Sequence, residues 1–144
     1  ALATAVLLVG NASVAQADES DPHPDALYAM ASVPGGVLVD DETVVWPALG
    51  MVLNADGTSS RAVGSCGTGL FCAYSGANQS GTKLSFSVCT TASTAALSAV
   101  RPLANARASG VVQARNSAGS VLASAPAGTA VNVGGTTVIL RCTL

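Results

Sequence analysis

The residues able to do chemistry are few, and their order along the chain is lopsided. Every carboxylate falls within the first 56 positions, at Asp18, Glu19, Asp21, Asp25, Asp40, Asp41, Glu42 and Asp56. Every fixed cation comes later, at Arg61, Lys83, Arg101, Arg107, Arg115 and Arg141. The formal net charge of −2 is therefore a run of negative residues followed by a run of positive ones, which gives the N-terminal part the means to dock on a complementary surface, its own or a partner's. The same order removes general acid/base chemistry by paired carboxylates from residue 57 onward. The single histidine, His23, stands between Pro22 and Pro24 in a polar stretch. Nothing there would hold an imidazole against a nucleophile, so it reads as a solvated linker residue and not as part of a Ser/His/Asp set. The chain is expected not to be an enzyme. Scattered basic residues and an aromatic content of 3% make no nucleic-acid surface either.

The four cysteines, Cys66, Cys72, Cys89 and Cys142, include no Cys-x-x-Cys pair and lie far from His23. No metal site is expected, and no cofactor. An even number of cysteines in a small exported domain reads as two disulfides. Of the three possible connectivities, Cys66–Cys72 with Cys89–Cys142 is favoured. The first bridge would clip a tight turn containing Gly67 and Gly69, and the second would tie the final strand to the middle of the domain. The sequence leaves the other two pairings open.

Residues 1–17, ALATAVLLVGNASVAQA, open with an apolar run and end in Ala15-Gln16-Ala17, the small-x-small pattern of a signal-peptidase site. The run is shorter than the roughly 20 residues that span a bilayer. It reads as a clipped secretory signal, with a short buried helix as the alternative. The mature protein is expected to be extracellular, with no membrane attachment after cleavage. Residues 18–36, DESDPHPDALYAMASVPGG, are rich in Pro, Asp, Ser and Gly and read as an extended acidic arm. Its apolar island, Leu27, Tyr28 and Met30 with Asp25 beside it, is the expected partner-binding segment. A proline-stiffened strand of this kind can lie in a protease cleft, and Tyr and Met are enriched at interfaces.

Residues 37–144 form the expected domain. Apolar residues make up 49% of the chain but are mostly Val, Leu and Ala, which favours thin sheet-on-sheet packing. Short β-rich runs fall at Val37–Val39, Thr43–Trp46, Gly50–Leu53, Leu70–Tyr74, Lys83–Val88, Val111–Arg115, Ser120–Ser124, Ala130–Val133 and Thr136–Arg141. Turns are expected at Asp40–Glu42, at Asn54–Gly57, and at Gly134–Gly135 as a two-residue hairpin. A short helix is expected around Ser93–Val100, ahead of Pro102. Trp46 is expected to pack in the core or along a sheet edge.

The stretch Cys66–Cys89 carries a recognisable pattern: Cys66, a glycine turn, Phe71-Cys72-x-Tyr74, then Asn78-x-x-Gly81, then Leu84-x-Phe86 and Cys89. It resembles the motif of the secreted actinomycete metalloprotease-inhibitor family. The likeness extends over roughly residues 43–142, and Gln79 stands where that motif usually has an aromatic residue. The resemblance implies an all-β, βγ-crystallin-like Greek-key sandwich with two disulfides behind an extended N-terminal arm. Tyr74, Asn78 and Gly81 would be its fold-defining residues, with Gly81 at positive φ. It also implies a protein-binding module that docks on a peptidase or peptidase-like domain, with no reactive bond assignable to any residue. In architecture alone, a small β domain behind an arm, the chain is also similar to the small adaptor of umbrella-shaped antibacterial toxin particles, whose partners are toxin-complex subunits. Calcium is not expected at the Asn78 loop, because Ser75, Asn78, Gln79, Ser80 and Thr82 supply only uncharged oxygens.

Overall fold

A computed structural model describes residues 21–55 and 66–144. The expected signal segment 1–17, the arm's first residues and the Asp56-Gly57 half of the Asn54 turn lie outside the described residues. Among the described residues there are eleven strands and one α-helix: α1 (Pro24–Ser32), β1 (Val37–Asp40), β2 (Thr43–Trp46), β3 (Met51–Asn54), β4 (Phe71–Gly76), β5 (Ser80–Phe86), β6 (Thr91–Ser93), β7 (Pro102–Asn105), β8 (Val111–Arg115), β9 (Val121–Pro126), β10 (Thr129–Asn132) and β11 (Ile139–Thr143). They form a seven-stranded antiparallel sheet, β1-β2-β3-β5-β4-β7-β10, and a four-stranded one, β6-β11-β8-β9. The architecture is mostly β, with two antiparallel sheets and two disulfides.

The register shows why these short runs fold as they do. Val44, Leu53, Leu84, Ala73 and Leu103 stand side by side across β2, β3, β5, β4 and β7. Trp46, Met51, Phe86 and Phe71 form the next row but one. With a side-chain period of two, both rows point to one face. All nine residues are buried in one apolar cluster that also takes in Val112, Ala114, Ala125, Leu140 and Cys142 of the four-stranded sheet. Phe71 and Phe86 stack with centroids 4.8 Å apart. Asn105, fully buried in β7, donates to Ala125 O at 3.0 Å and Gly110 O at 3.2 Å, so the polar group brought into this core is satisfied.

The two sheets meet mainly through β7 with β8 and β9, and through β9 with β10, leaving the inner face of β2 and β3 to another cover. That cover is α1. Ala26, Ala29 and Val33 join the main core, and Met30 packs against it. The Trp46 indole N–H donates to Val33 O at 3.0 Å. Gly36 lets the chain pass the indole, since a Cβ there would stand 2.8 Å from Trp46 Nε1. The expectation of an extended arm is therefore corrected over residues 24–32. Ala26, Ala29, Met30 and Val33 recur at three- and four-residue spacing, the stripe of one helix face. Pro24 sits at the first helical position, where its missing N–H costs nothing. His23 is likewise no solvated linker: its Nδ1 accepts from Asp25 N at 3.1 Å as the helix cap, and its own N–H donates to Asp41 O at 2.6 Å.

Two further expectations are corrected. Ser93–Val100 is not helical. Thr94 N donates to Val138 O at 3.0 Å and the Thr94 hydroxyl to Thr137 O at 3.1 Å, so the segment is pinned beside the chain entering β11. Past it, Pro102–Asn105, a run without β-branched residues, forms β7, buried at all four positions. Gly134–Gly135 does not close a hairpin. β10 pairs with β7 in one sheet, and β11 pairs with β8 and β6 in the other. The two glycines carry the chain between sheets, because Leu140 and Cys142 bury their side chains only in register with β8.

The favoured disulfide pairing is present, Cys66–Cys72 with Cα atoms 5.8 Å apart and Cys89–Cys142 with 5.0 Å. Two such bridges fit an oxidising, extracellular compartment. Among the described residues no helix is long and apolar enough to cross a membrane.

Candidate partner-binding surfaces

Helix α1 separates the four residues expected to bind a partner into two pairs. Asp25 faces the domain, where the Thr82 hydroxyl donates to its carboxylate and also lies 2.7 Å from Ala55 O. Met30 is half-buried against the core. Leu27 and Tyr28 face outward, 51% and 47% exposed. Ser32 Oγ donates to Tyr28 O at 2.8 Å and completes the last turn beneath them. Leu27 and Tyr28 thus form a small apolar and aromatic surface on a rigid support, while Asp25 and Met30 help to hold that support in place.

The β4–β5 hairpin holds the motif residues Tyr74, Asn78 and Gly81. Tyr74 is fully buried in a second, smaller cluster with Cys66, Cys72, Ala104 and Ala106, on the opposite side of the seven-stranded sheet from the main core. Asn78 and Gln79 both take left-handed backbone, φ 56° and 57°, and Gly81 has φ 73°. A Cβ on Gly81 would meet Ser75 Oγ at 2.7 Å, so glycine is required twice over at this position. Ser75 Oγ accepts from Thr82 N at 2.9 Å and Ser80 Oγ donates to Ala77 O, so these hydroxyls serve the hairpin itself. Among the described residues no three His, Cys, Asp or Glu side chains converge as a metal site would need.

The outer face of the seven-stranded sheet differs from one half to the other. Over β4 and β7 it is covered by the turn that the Cys66–Cys72 bridge clips, and Cys72, Tyr74 and Ala104 are fully buried beneath it. Over β1, β2 and β3 it carries the row Val37, Val45 and Val52. Val37 is 54% exposed, and Val39, the extra residue where the β1–β2 register shifts, is 58% exposed. The two halves meet at a groove of about 390 Å³ lined by Val45, Val52, Leu70, Asn54, Lys83 and Ser85. Burial of Lys83 in its wall lowers that ammonium's pKa below 10.5. This surface escaped the reading of the sequence, although Val37 and Val39, two residues apart on one face of a strand, were a signal for it.

At one end of β1 the acidic turn Asp40-Asp41-Glu42 marks the rim. The Asp40 carboxylate accepts from the Glu42 backbone N–H at 2.9 Å, and this bond, with help from the Thr43 hydroxyl, lowers its pKa below 3.8. No protein-family model, no curated protein and no solved structure matches this chain.

Proposed function

We propose that the chain is a secreted protein-binding module, of the βγ-crystallin-like Greek-key kind, that docks on a peptidase or peptidase-like domain as an inhibitor or as a subunit derived from one. The observation that carries the reading is the pair Leu27 and Tyr28, adjacent and half-exposed on a helix whose other face is locked into the core. A tyrosine on a rigid support offers large contact area at little entropic cost, which is the character of an interface hot spot. The fold name rests on the motif Tyr74, Asn78 and Gly81, and it is supported by Gly81 at positive φ and Tyr74 in the core of the hairpin face.

A second reading, an adaptor inside a secreted multi-protein antibacterial toxin complex, gains support from the distance in character between two surfaces. An adaptor needs two, and the Leu27–Tyr28 pair and the β1 valines lie on different elements.

The test is affinity capture from the culture fluid of the source organism, with the tagged protein and its Leu27→Ala/Tyr28→Ala variant. Wild-type protein should retain a partner in stoichiometric amount, and the variant should lose at least about tenfold of it, as for an interface anchor. A retained protease whose activity falls on binding marks an inhibitor. A stable complex with other subunits and no protease marks an adaptor. Equal capture by wild type and variant, or no partner at all, would sink the reading.

A further inference from the structure

We propose that the β1 edge, with the exposed valines Val37 and Val39 upon it, is a second docking surface, built for an extended basic strand of a partner protein. The inference rests on the binding-module reading but on residues separate from Leu27 and Tyr28.

Three observations point to that occupant. First, β1 ends the seven-stranded sheet, and among the described residues it pairs with β2 alone. An edge of this kind offers its outward backbone groups to one more strand, which gains main-chain hydrogen bonds from it. Second, the edge leads to apolar surface: Val37 continues through Val45 and Val52 into the groove beside Leu70. A strand laid against β1 can place its alternate side chains beside Val37 and Val39, at the start of that row. Third, the rim at the Asp40 end is acidic. The Asp40 carboxylate is exposed and accepts from the Glu42 N–H, which lowers its pKa, and the bond from the His23 backbone N–H to Asp41 O fixes the turn against the helix cap. A lysine or arginine on the incoming strand finds its counter-charge at Asp40.

The same features disfavour a second copy of the chain. β1 is four residues long and its register shifts between Leu38 and Asp40, so it cannot propagate a long ladder between copies. A second copy would also bring its own Asp40 to this acidic rim and no cation anywhere in its β1 strand.

The probe is a capped peptide of alternating valine and threonine with lysines at one end, titrated into the whole protein and followed by backbone amide NMR. The expected result is shifts and slowed hydrogen exchange at Val37–Asp40 with smaller shifts at Val45 and Val52, weakened by salt. Binding should fall at least about tenfold on Val37→Lys or Val39→Lys, which set like charge against the probe on exposed side chains. Should either variant misfold by circular dichroism, Asp40→Asn tests the charge while keeping the acceptor for Glu42 N–H, and it should weaken binding severalfold. The proposal is overturned by an absence of shifts in β1, by shifts confined to Leu27 and Tyr28, by equal binding of a peptide with glutamates in place of the lysines, or by self-association through Val37 and Val39 in sedimentation. Loss of the β1 shifts with Leu27–Tyr28 capture intact would leave the module reading standing, so the two failures are distinguishable.

Discussion

The inner and outer faces of the seven-stranded sheet are finished by different means. Inside, helix α1 and the four-stranded sheet close over two full rows of apolar residues. Outside, only the β4–β7 half is covered, by a turn held with a short-range disulfide, and the β1–β3 half is left as valines. The inner face is built for stability, with Ala26 and Ala29 buried where α1 packs on it. The outer face is stabilised only where its bridge reaches, and the remainder is apolar surface at the periphery of a free edge. A small domain with a light aromatic content can thus spend its large side chains, Trp46, Phe71 and Phe86, on one side of the sheet and keep the other for contact.

Breaking each bridge tests that contrast most severely. Cys89–Cys142 closes a loop of 53 residues and Cys66–Cys72 one of 6. The chain-entropy relation then gives roughly 4 kcal/mol for the first and roughly 2 kcal/mol for the second. Urea unfolding of Cys89→Ala/Cys142→Ala should show the larger loss. Cys66→Ala/Cys72→Ala should lose less and speed hydrogen exchange chiefly at Tyr74 and Ala104; equal losses would mean that the outer half is as integral as the core.

Helix packing is the next largest effect. Ala29 is fully buried where α1 meets the core, so Ala29→Leu should cost about 1 to 3 kcal/mol by overpacking. If α1 were a dispensable arm, the midpoint of thermal unfolding would not move.

A smaller effect comes from Lys83 in the groove wall, whose pKa is lowered by burial. A base with a depressed folded pKa binds its proton less tightly in the native state than in the unfolded chain. Stability from this group should therefore rise as pH climbs from the lowered value to 10.5, and be lost as pH falls back. Denaturation midpoints measured across that window should slope upward in the wild type and flatten in Lys83→Met. A slope unchanged by the substitution would remove Lys83 as its source.

The smallest expected effect is on the recognition pair. Leu27→Ala and Tyr28→Ala should each change stability by no more than about 0.5 kcal/mol, the usual range for exposed sites. A larger loss would move the pair from the contact surface into the fold.

Much of this was legible in the residues. The disulfide pairing present is the one favoured, among three left open, for Gly67 and Gly69 beside Cys66, and Val111–Arg115 formed a strand with the bounds expected for it. The left-handed turn at Gly81 is the one that the resemblance to the inhibitor motif implied. The helix went unread because its buried face is mostly alanine, too weakly apolar to register as a stripe, and because Pro24 was taken as punctuation when it opens the first turn. β7 was missed for a related reason: Pro-Leu-Ala-Asn carries no strand preference of its own and is a strand because β4 and β10 flank it. Gly134–Gly135 has the composition of a hairpin, yet the partner of β11 is chosen by Leu140 and Cys142. Of the candidate site, Leu27 and Tyr28 were named from composition, while the β1 surface needed the register to show that Val37, Val45 and Val52 share a row.

The spacing of the bridges also sets an order in time. When the chain emerges N-terminus first, Cys66 and Cys72 appear together and can oxidise at once, whereas Cys89 must wait until another 53 residues have followed it. The early local bridge withdraws two of the three available thiols from competition, so that when Cys142 arrives Cys89 is the remaining partner. The short bridge on the outer face thereby acts as a proofreader for the long one, and Cys66→Ala, which leaves Cys72 unpaired, should accumulate Cys72–Cys89 or Cys72–Cys142 mispairs.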